Sequence, residues 1–297
     1  MKTCALIIEE MRPKQWTKNL LLFAGLVFSH NLTRWERVLE ATAAFLVFCG
    51  LSGVVYIYND IRDAASDRQH PLKQKRPIAS GRLPVSTAWT AAVTVAAAAL
   101  GGSLLLNAKF AGLALLYFFM MLTYSAVLKH LVILDLMVVA MGFVIRAVAG
   151  VKAIEHAGET IVITPWFITC VLFLALFIAI CKRRHELVLL SDGARNHRPV
   201  LEHYSTAFVD QMVSVATAAT VISYALYVTL GVSRTQVRHP ELMIWTLPFV
   251  LYGIFRYLYL AYRRDEGGAP EALLLQDIPL LVNVLLWLAT VSLIFYL

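Results

Sequence analysis

From Tyr58 the sequence reads YNDIRDAASDRQHPLKQKRPIASGRLP. Asp60, Asp63 and Asp67 stand three and four residues apart, so on a helix their carboxylates share one face. Asn59 adds an amide oxygen beside them. Three like charges on one face repel, and a cation belongs among them. Oxygen-only ligands suit Mg2+ or Mn2+; Mg2+ takes one or two carboxylates together with substrate phosphates. Lys73, Lys75 and Arg76 follow closely. Metal on one side, with ammonium and guanidinium on the other, is what a diphosphate requires. The competing reading is a solvated loop whose acids pair with its bases. An Asn-Asp-x-x-Asp-x-x-x-Asp spacing at a helix end with a basic tail argues for diphosphate chemistry, in which a carboxylate-held metal neutralises the leaving group.

Other polar residues sit at the ends of apolar stretches. Lys18 and Asn19 precede the first and are candidates to bind phosphate; Arg12, Lys14 and Trp16 read as interfacial anchors. Tyr124 and Lys129 close the fourth stretch, and Asp135 opens the fifth. An acid inside an apolar run is a functional candidate, and Asp135 is expected either to bind metal or to pair with Lys129. Lys182, Arg183 and Glu186 end the sixth stretch and are further candidates for the substrate site. Arg146 lies eleven residues past Asp135, roughly 16 Å along a helix, and reads as structural.

These residues need elements to hold them, and the composition names the kind. Of 297 residues, 59% are hydrophobic and 15% charged, and mean hydropathy is +0.69. That excludes disorder, a coiled coil and an ordinary soluble enzyme. Apolar stretches fall at about 15–33, 38–60, 85–106, 109–128, 132–151, 165–181, 209–231, 242–262 and 279–297. The first and sixth are short. The expectation is one all-α polytopic domain over residues 1–297, a bundle of about nine membrane helices, with eight as the other count. Residues 61–84 and 182–208 are read as its polar loops.

Of the 26 Lys and Arg, 19 fall on alternate loops beginning with the N-terminal one and 7 on the others. Positive residues gather on the cytoplasmic side, which predicts an N-terminus inside and a C-terminus outside. The net charge of +7 therefore reflects topology, and a nucleic-acid partner is not expected. The four cysteines (Cys4, Cys49, Cys170 and Cys181) have no metal spacing and form no disulfide framework. Glu9, Glu10 and Arg12 precede any apolar run, unlike a cleaved signal peptide.

NDIRDAASD resembles the NDxxDxxxD signature of the UbiA superfamily of intramembrane prenyltransferases. Its extension through HPLKQKRPIASG resembles one branch, the decaprenyl-phosphate phosphoribosyltransferases. So do RPKQWTKNLLLFAGLVFS (Arg12 to Ser29) and YSAVLKHLVILDLMVVAMGFVIRAVAG (Tyr124 to Gly150). The similarity covers about residues 10 to 210. It implies a helical bundle around a cavity open to the inner face and to lipid, in the bacterial plasma membrane.

The resemblance also implies Mg2+-dependent transfer of 5-phosphoribose from 5-phosphoribosyl diphosphate to a polyprenyl phosphate, giving a lipid-linked pentose for cell-envelope arabinan. Asp60, Asp63, Asp67 and Asn59 would hold metal and diphosphate. Lys18, Lys73, Lys75, Arg76 and Lys129 would hold phosphates. A homo-oligomer is compatible with such a bundle. Many members of the superfamily carry a second Asp-x-x-x-Asp motif near the sixth span. Here Lys182 and Glu186 occupy that spacing, and the next acid is Asp192. The departure weakens the alternative of a prenyl diphosphate donor with an aromatic acceptor. A third reading, a non-catalytic transporter of lipid phosphates, would need broken helices along a charged path, and little interruption is visible.

Overall fold

The computed structural model describes residues 2–69, 73–156, 159–189, 199–231, 237–264, 268 and 270–296. Among them every regular element is helical. Helix α1 spans Lys2–Glu10, and a 3-10 helix over Pro13–Phe23 continues into α2, Ala24–Phe28. Then come α3 (Trp35–Asp67), α4 (Val85–Leu106), α5 (Ala108–Ala126), α6 (Leu134–Ala153) and α7 (Pro165–Leu189). Helices α8 (Thr206–Leu226), α9 (Leu247–Arg263), α10 (Pro270–Gln276) and α11 (Ile278–Tyr296) complete the described chain.

Eight of the described helical segments are long and apolar enough to cross a membrane. The ninth expected span, 15–33, differs. Its residues form the 3-10 helix, α2 and a turn, too short to qualify as an α-helical span. A 3-10 helix rises about 2.0 Å per residue against 1.5 Å for an α-helix. The 11 residues of Pro13–Phe23 and the 5 of α2 thus reach about 30 Å, the thickness of a hydrocarbon core.

The helices begin and end where local chemistry directs. Asn107 ends α4 and caps α5, its side chain accepting a hydrogen bond from the Phe110 amide. Ser205 caps α8 by accepting from Phe208. Pro84 and Pro165 stand at the starts of α4 and α7, where a missing N–H costs nothing.

Phe48, Phe110 and Tyr117 are fully buried between α3 and α5. A second core joins Leu136, Phe177, Val213 and Leu260 of α6 to α9. Large apolar side chains also line the outside: Leu46, Val93, Leu105, Phe119, Val215 and Leu293 are all more than half exposed. So large an apolar exterior on a well-packed bundle fits a lipid solvent.

Gly150 of α6 admits the 3-10 helix at backbone contact. A Cβ there would stand 2.1 Å from the Leu22 carbonyl oxygen, and one at Gly25 would meet the Gly150 backbone at 3.0 Å. Charged residues gather at the two ends of the bundle. At one end Arg37 donates to the Ile154 carbonyl and pairs with Glu159, and Lys109 and Lys152 hold Glu155. The other end carries the acidic motif.

Candidate active site

The last turns of α3 carry the acidic motif, so residues 61–67 are helix rather than loop. The three aspartates do share a face, and each is held by bases from other elements. The Arg12 guanidinium reaches both Asp60 oxygens at 2.6 and 2.5 Å. Arg76 bridges Asp60 (3.0 Å) and Asp67 (2.6 Å), and Lys73 lies 3.8 Å from Asp67. The Lys129 ammonium contacts both Asp63 oxygens at 3.1 and 3.0 Å and donates to the Asn59 amide oxygen at 3.1 Å. Asn59 donates in turn to Asp63 at 3.0 Å.

Asp60 and Asp67 are buried. Four bases from three places in the chain thus converge on three acids of one helix. Among the described residues no three acids, histidines or cysteines already form a cation cage. The donor set nonetheless fits Mg2+ or Mn2+: all candidate ligands are oxygens, and one or two carboxylates plus substrate phosphates complete such a site.

Arg12 owes its position to a turn. Its φ of 55° places it in the left-handed region, Trp16 donates to the Met11 carbonyl at 3.2 Å, and the guanidinium stacks over Tyr56 at 4.8 Å. Preceding it, Glu10 is 1% exposed and lies against the Asp60 carboxyl. Burial foremost, then the neighbouring Asp60 carboxyl, raises the Glu10 pKa to about 8.

Beside the motif lies a cavity of about 510 Å3, lined by Lys18, Tyr124, Asp135, Arg146, Lys182 and Arg183 among apolar side chains of α5, α6, α7 and α10. Asp135, fully buried, pairs with Arg183 at 2.8 Å and accepts a hydrogen bond from Tyr204 at 2.8 Å. The expected pairing with Lys129 is therefore not made; Lys129 turns to Asp63. Arg183 also pairs with Glu186. Burial first, and the Asp135 carboxylate with it, pushes the Tyr204 hydroxyl up to about 12, so it remains a donor.

Asn19 is buried away from the acids. Its amide donates to Cys49 and Ser52 at 3.3 Å and accepts from Arg146 at 2.8 Å. Arg146 also donates to Tyr117 at 2.6 Å, which agrees with its structural reading. Asp192 lies outside the described residues, as do most of the residues between α7 and α8.

The sequence of residues 20–278 matches the UbiA prenyltransferase family. The chain belongs to this family. A decaprenyl-phosphate phosphoribosyltransferase of Corynebacterium glutamicum is 33% identical over 297 residues, covering 98% of this chain and 86% of that protein. The enzyme of the same name from Mycobacterium tuberculosis strain H37Rv is 32% identical over 292 residues, covering 96% and 93%. A UbiA homolog from Archaeoglobus fulgidus, solved bound to GPP and Mg2+, superposes with a TM-score of 0.72 at 19% identity, covering 98% of this chain and all of that one. An apo UbiA homolog from Aeropyrum pernix K1 gives 0.65 at 17% identity, with full coverage of both chains. The UbiA fold is therefore common to all three chains.

Within this UbiA-family protein, three residues at the polar end escaped sequence reasoning. Arg12 stands in the RPKQW segment but reads there as an anchor. Glu10 precedes every motif, and Tyr204 follows the loop after α7. Only Arg12 carried a signal, its place at the head of a segment shared with the resembling branch.

Proposed function

We propose that this UbiA-family protein transfers 5-phosphoribose from 5-phosphoribosyl diphosphate to a polyprenyl phosphate, at the cytoplasmic face of the bacterial plasma membrane. One observation carries the reading: helix α3 bears three carboxylates ringed by four bases and, one turn earlier at Tyr56, lines a cavity whose walls are apolar with basic side chains among them. The first feature suits a metal-bound diphosphate. The second suits a lipid whose head is a phosphate. Relatives at 33% and 32% identity are named decaprenyl-phosphate phosphoribosyltransferases, which supports this acceptor and this transferred group.

Asp60, Asp63 and Asn59, with Asp67 behind them, would hold a divalent metal. Bound there, Mg2+ or Mn2+ supplies charge neutralisation for the departing diphosphate. Arg12, Arg76 and Lys129 exchange carboxylate oxygens for phosphate oxygens as the donor enters. Lys75 lines the wall next to Asp60. Lys18, Lys182 and Arg183, which line the cavity, hold the lipid phosphate, and the apolar wall takes the chain.

A phosphate oxygen of the lipid attacks C1 of the ribose. The new C–O bond forms as the C1–diphosphate bond breaks, and inorganic diphosphate leaves with the electron pair. The nucleophile is already an anion, so no general base is needed. The carbon passes through an oxocarbenium-like state, and positioning with charge stabilisation supplies the acceleration. Product lipid would feed synthesis of an arabinan-type envelope polymer.

The test uses purified protein in detergent with Mg2+, a polyprenyl phosphate and labelled 5-phosphoribosyl diphosphate. Label should enter the organic phase and disappear with Asp60→Ala. Turnover of a prenyl diphosphate with an aromatic acceptor, and none of the pentose donor, would refute the reading in favour of prenyl transfer.

A further inference from the structure

Tyr204 ties two parts of the site together without lining the large cavity itself. Its hydroxyl accepts a hydrogen bond from the Ile133 amide at 2.7 Å and donates to the Asp135 carboxylate at 2.8 Å. The side chain is 5% exposed and stacks on Phe208, with ring centroids 6.1 Å apart and 16° between the planes. Phe208 lies in the first turn of α8, and Ser205, which caps that helix, directly follows Tyr204. The phenol is thus anchored to α8 and reaches across to the start of α6.

The amide it meets belongs to a strained residue. Ile133 has φ 69° and ψ −45°, near the values of the rare γ-turn that reverses the chain at one residue. For a β-branched side chain a positive φ is a genuine outlier. The Ile133 side chain is 46% exposed, so core packing does not force it there. Strain of this kind persists where surrounding contacts over-determine it, and it gathers at functional sites. Here the contacts are the Tyr204 hydroxyl on the Ile133 amide, and the Leu136 and Met137 amides on the Ile133 carbonyl, both at 3.0 Å.

What the turn joins gives the strain a use. Four residues before it, Lys129 places its ammonium on Asp63 of the acidic motif. Two residues after it, Asp135 holds Arg183 at 2.8 Å, and Arg183 lines the apolar-walled cavity. One base faces the place of the diphosphate and the other the place of the lipid phosphate. The turn sets the offset between them, and a single hydroxyl contacts both the turn and Asp135.

We propose that Tyr204 is a positioning residue: its hydroxyl holds the Ile133 turn in its strained form and so fixes Lys129 and Arg183 at the spacing that brings the two substrates together. The proposal rests on the phosphoribosyl reading above, in which those two bases serve different substrates.

The experiment is a double-variant cycle of Tyr204→Phe and Ile133→Gly, assayed as label transfer from 5-phosphoribosyl diphosphate into polyprenyl phosphate. Rates are taken per mole of folded protein, so that a loss of stability alone does not register. Tyr204→Phe should lower kcat about tenfold to a hundredfold, the cost of reacting groups set about 1 Å out of place. KM for both substrates should stay within about threefold, since each base still meets its own phosphate. Glycine adopts a positive φ without steric cost, so in the Ile133→Gly background the loss caused by Tyr204→Phe should shrink to about threefold or less. A wild-type measurement stands beside the cycle whatever the variants do to folding: in hydrogen exchange, the amides of residues 131–137 should be protected. An unchanged kcat would overturn the proposal, as would an equal loss in both backgrounds, a loss confined to the lipid KM, or exchange of those amides at the rate of an unstructured peptide. A wild type that turns over a prenyl diphosphate and ignores the pentose donor would instead overturn the phosphoribosyl reading itself.

Discussion

Replacing Lys129 by Met separates stability from catalysis at this site. The ammonium makes three contacts of 3.0 to 3.1 Å, two to Asp63 and one to Asn59. Its side chain is 17% exposed and that of Asp63 is 32% exposed. Water therefore screens the pair, and losing it should cost about 1 kcal/mol of stability or less. Asn59 still donates to Asp63 in the variant, and the Met side chain keeps the length of the lysine stem.

Catalysis should respond far more. If Lys129 moves from Asp63 to an oxygen of the departing diphosphate, its charge acts where negative charge grows. Removing one such donor costs about 2.7–4 kcal/mol, a hundredfold to thousandfold in kcat. The assay is label transfer into lipid under saturating donor, paired with denaturant unfolding of the same preparation. A variant as stable as wild type and within about threefold of its kcat would refute a phosphate role. A double variant with Asp63→Asn provides a cross-check. A purely structural pair would give a double variant with near-wild-type activity, whereas the proposed mechanism gives one no better than Lys129→Met.

Other perturbations test the neighbouring structure. Arg183→Ala should destabilise by about 3–5 kcal/mol, because Asp135 is fully buried and loses its ion-pair partner; joint replacement by Asp135→Asn and Arg183→Met should recover part of that in a thermal-unfolding assay. Gly150→Ala should cost about 3 kcal/mol or more, or abolish folded yield in size-exclusion profiles, because backbone rather than a flexible side chain occupies the space. Glu10 binds its proton more tightly when folded, with a pKa near 8 against the ordinary 4.5. Metal-free protein should therefore lose stability as pH rises from about 5 to 8, since the folded state holds more protons across that window. The same titration of Glu10→Gln in EDTA should be flatter; parallel curves would contradict the shifted carboxyl.

Much of the fold is written in apolar length. The stretches expected at 85–106 and 132–151 became helices Val85–Leu106 and Leu134–Ala153 because about twenty predominantly apolar residues leave the chain few other options in lipid. The acidic motif was equally legible, since spacings of three and four fix one helical face whatever surrounds it. Hydropathy could not distinguish a 3-10 helix from an α-helix over 13–23, a choice made by Pro13 and the backbone contact with Gly150. Nor could spacing choose a partner for Asp135. Lys129 is six residues away in sequence, but α7 brings Arg183 to it across the bundle. Asn19 reads like its neighbour Lys18, yet one helical step turns it into the core toward Arg146. Glu10 was invisible because its burial depends on contact with Asp60 and Ile78, fifty and more positions downstream.

The pairing of Asp60, Asp63 and Asp67 with Arg12, Lys73, Arg76 and Lys129 leaves three negative and four positive groups. The empty cluster is thus one charge positive. A divalent ion entering alone would meet repulsion from bases already occupying its ligands, and a free polyphosphate would meet the acids. Entering together, ion and diphosphate nearly cancel, and the bases can change hands from carboxylate to phosphate without any charge being stranded. On the proposed reading the protein therefore has little affinity for the bare metal and admits metal and donor together, the donor's remaining negative charge meeting the surplus base. Departing diphosphate would carry its metal away, resetting the seven side chains to the contacts they make with one another.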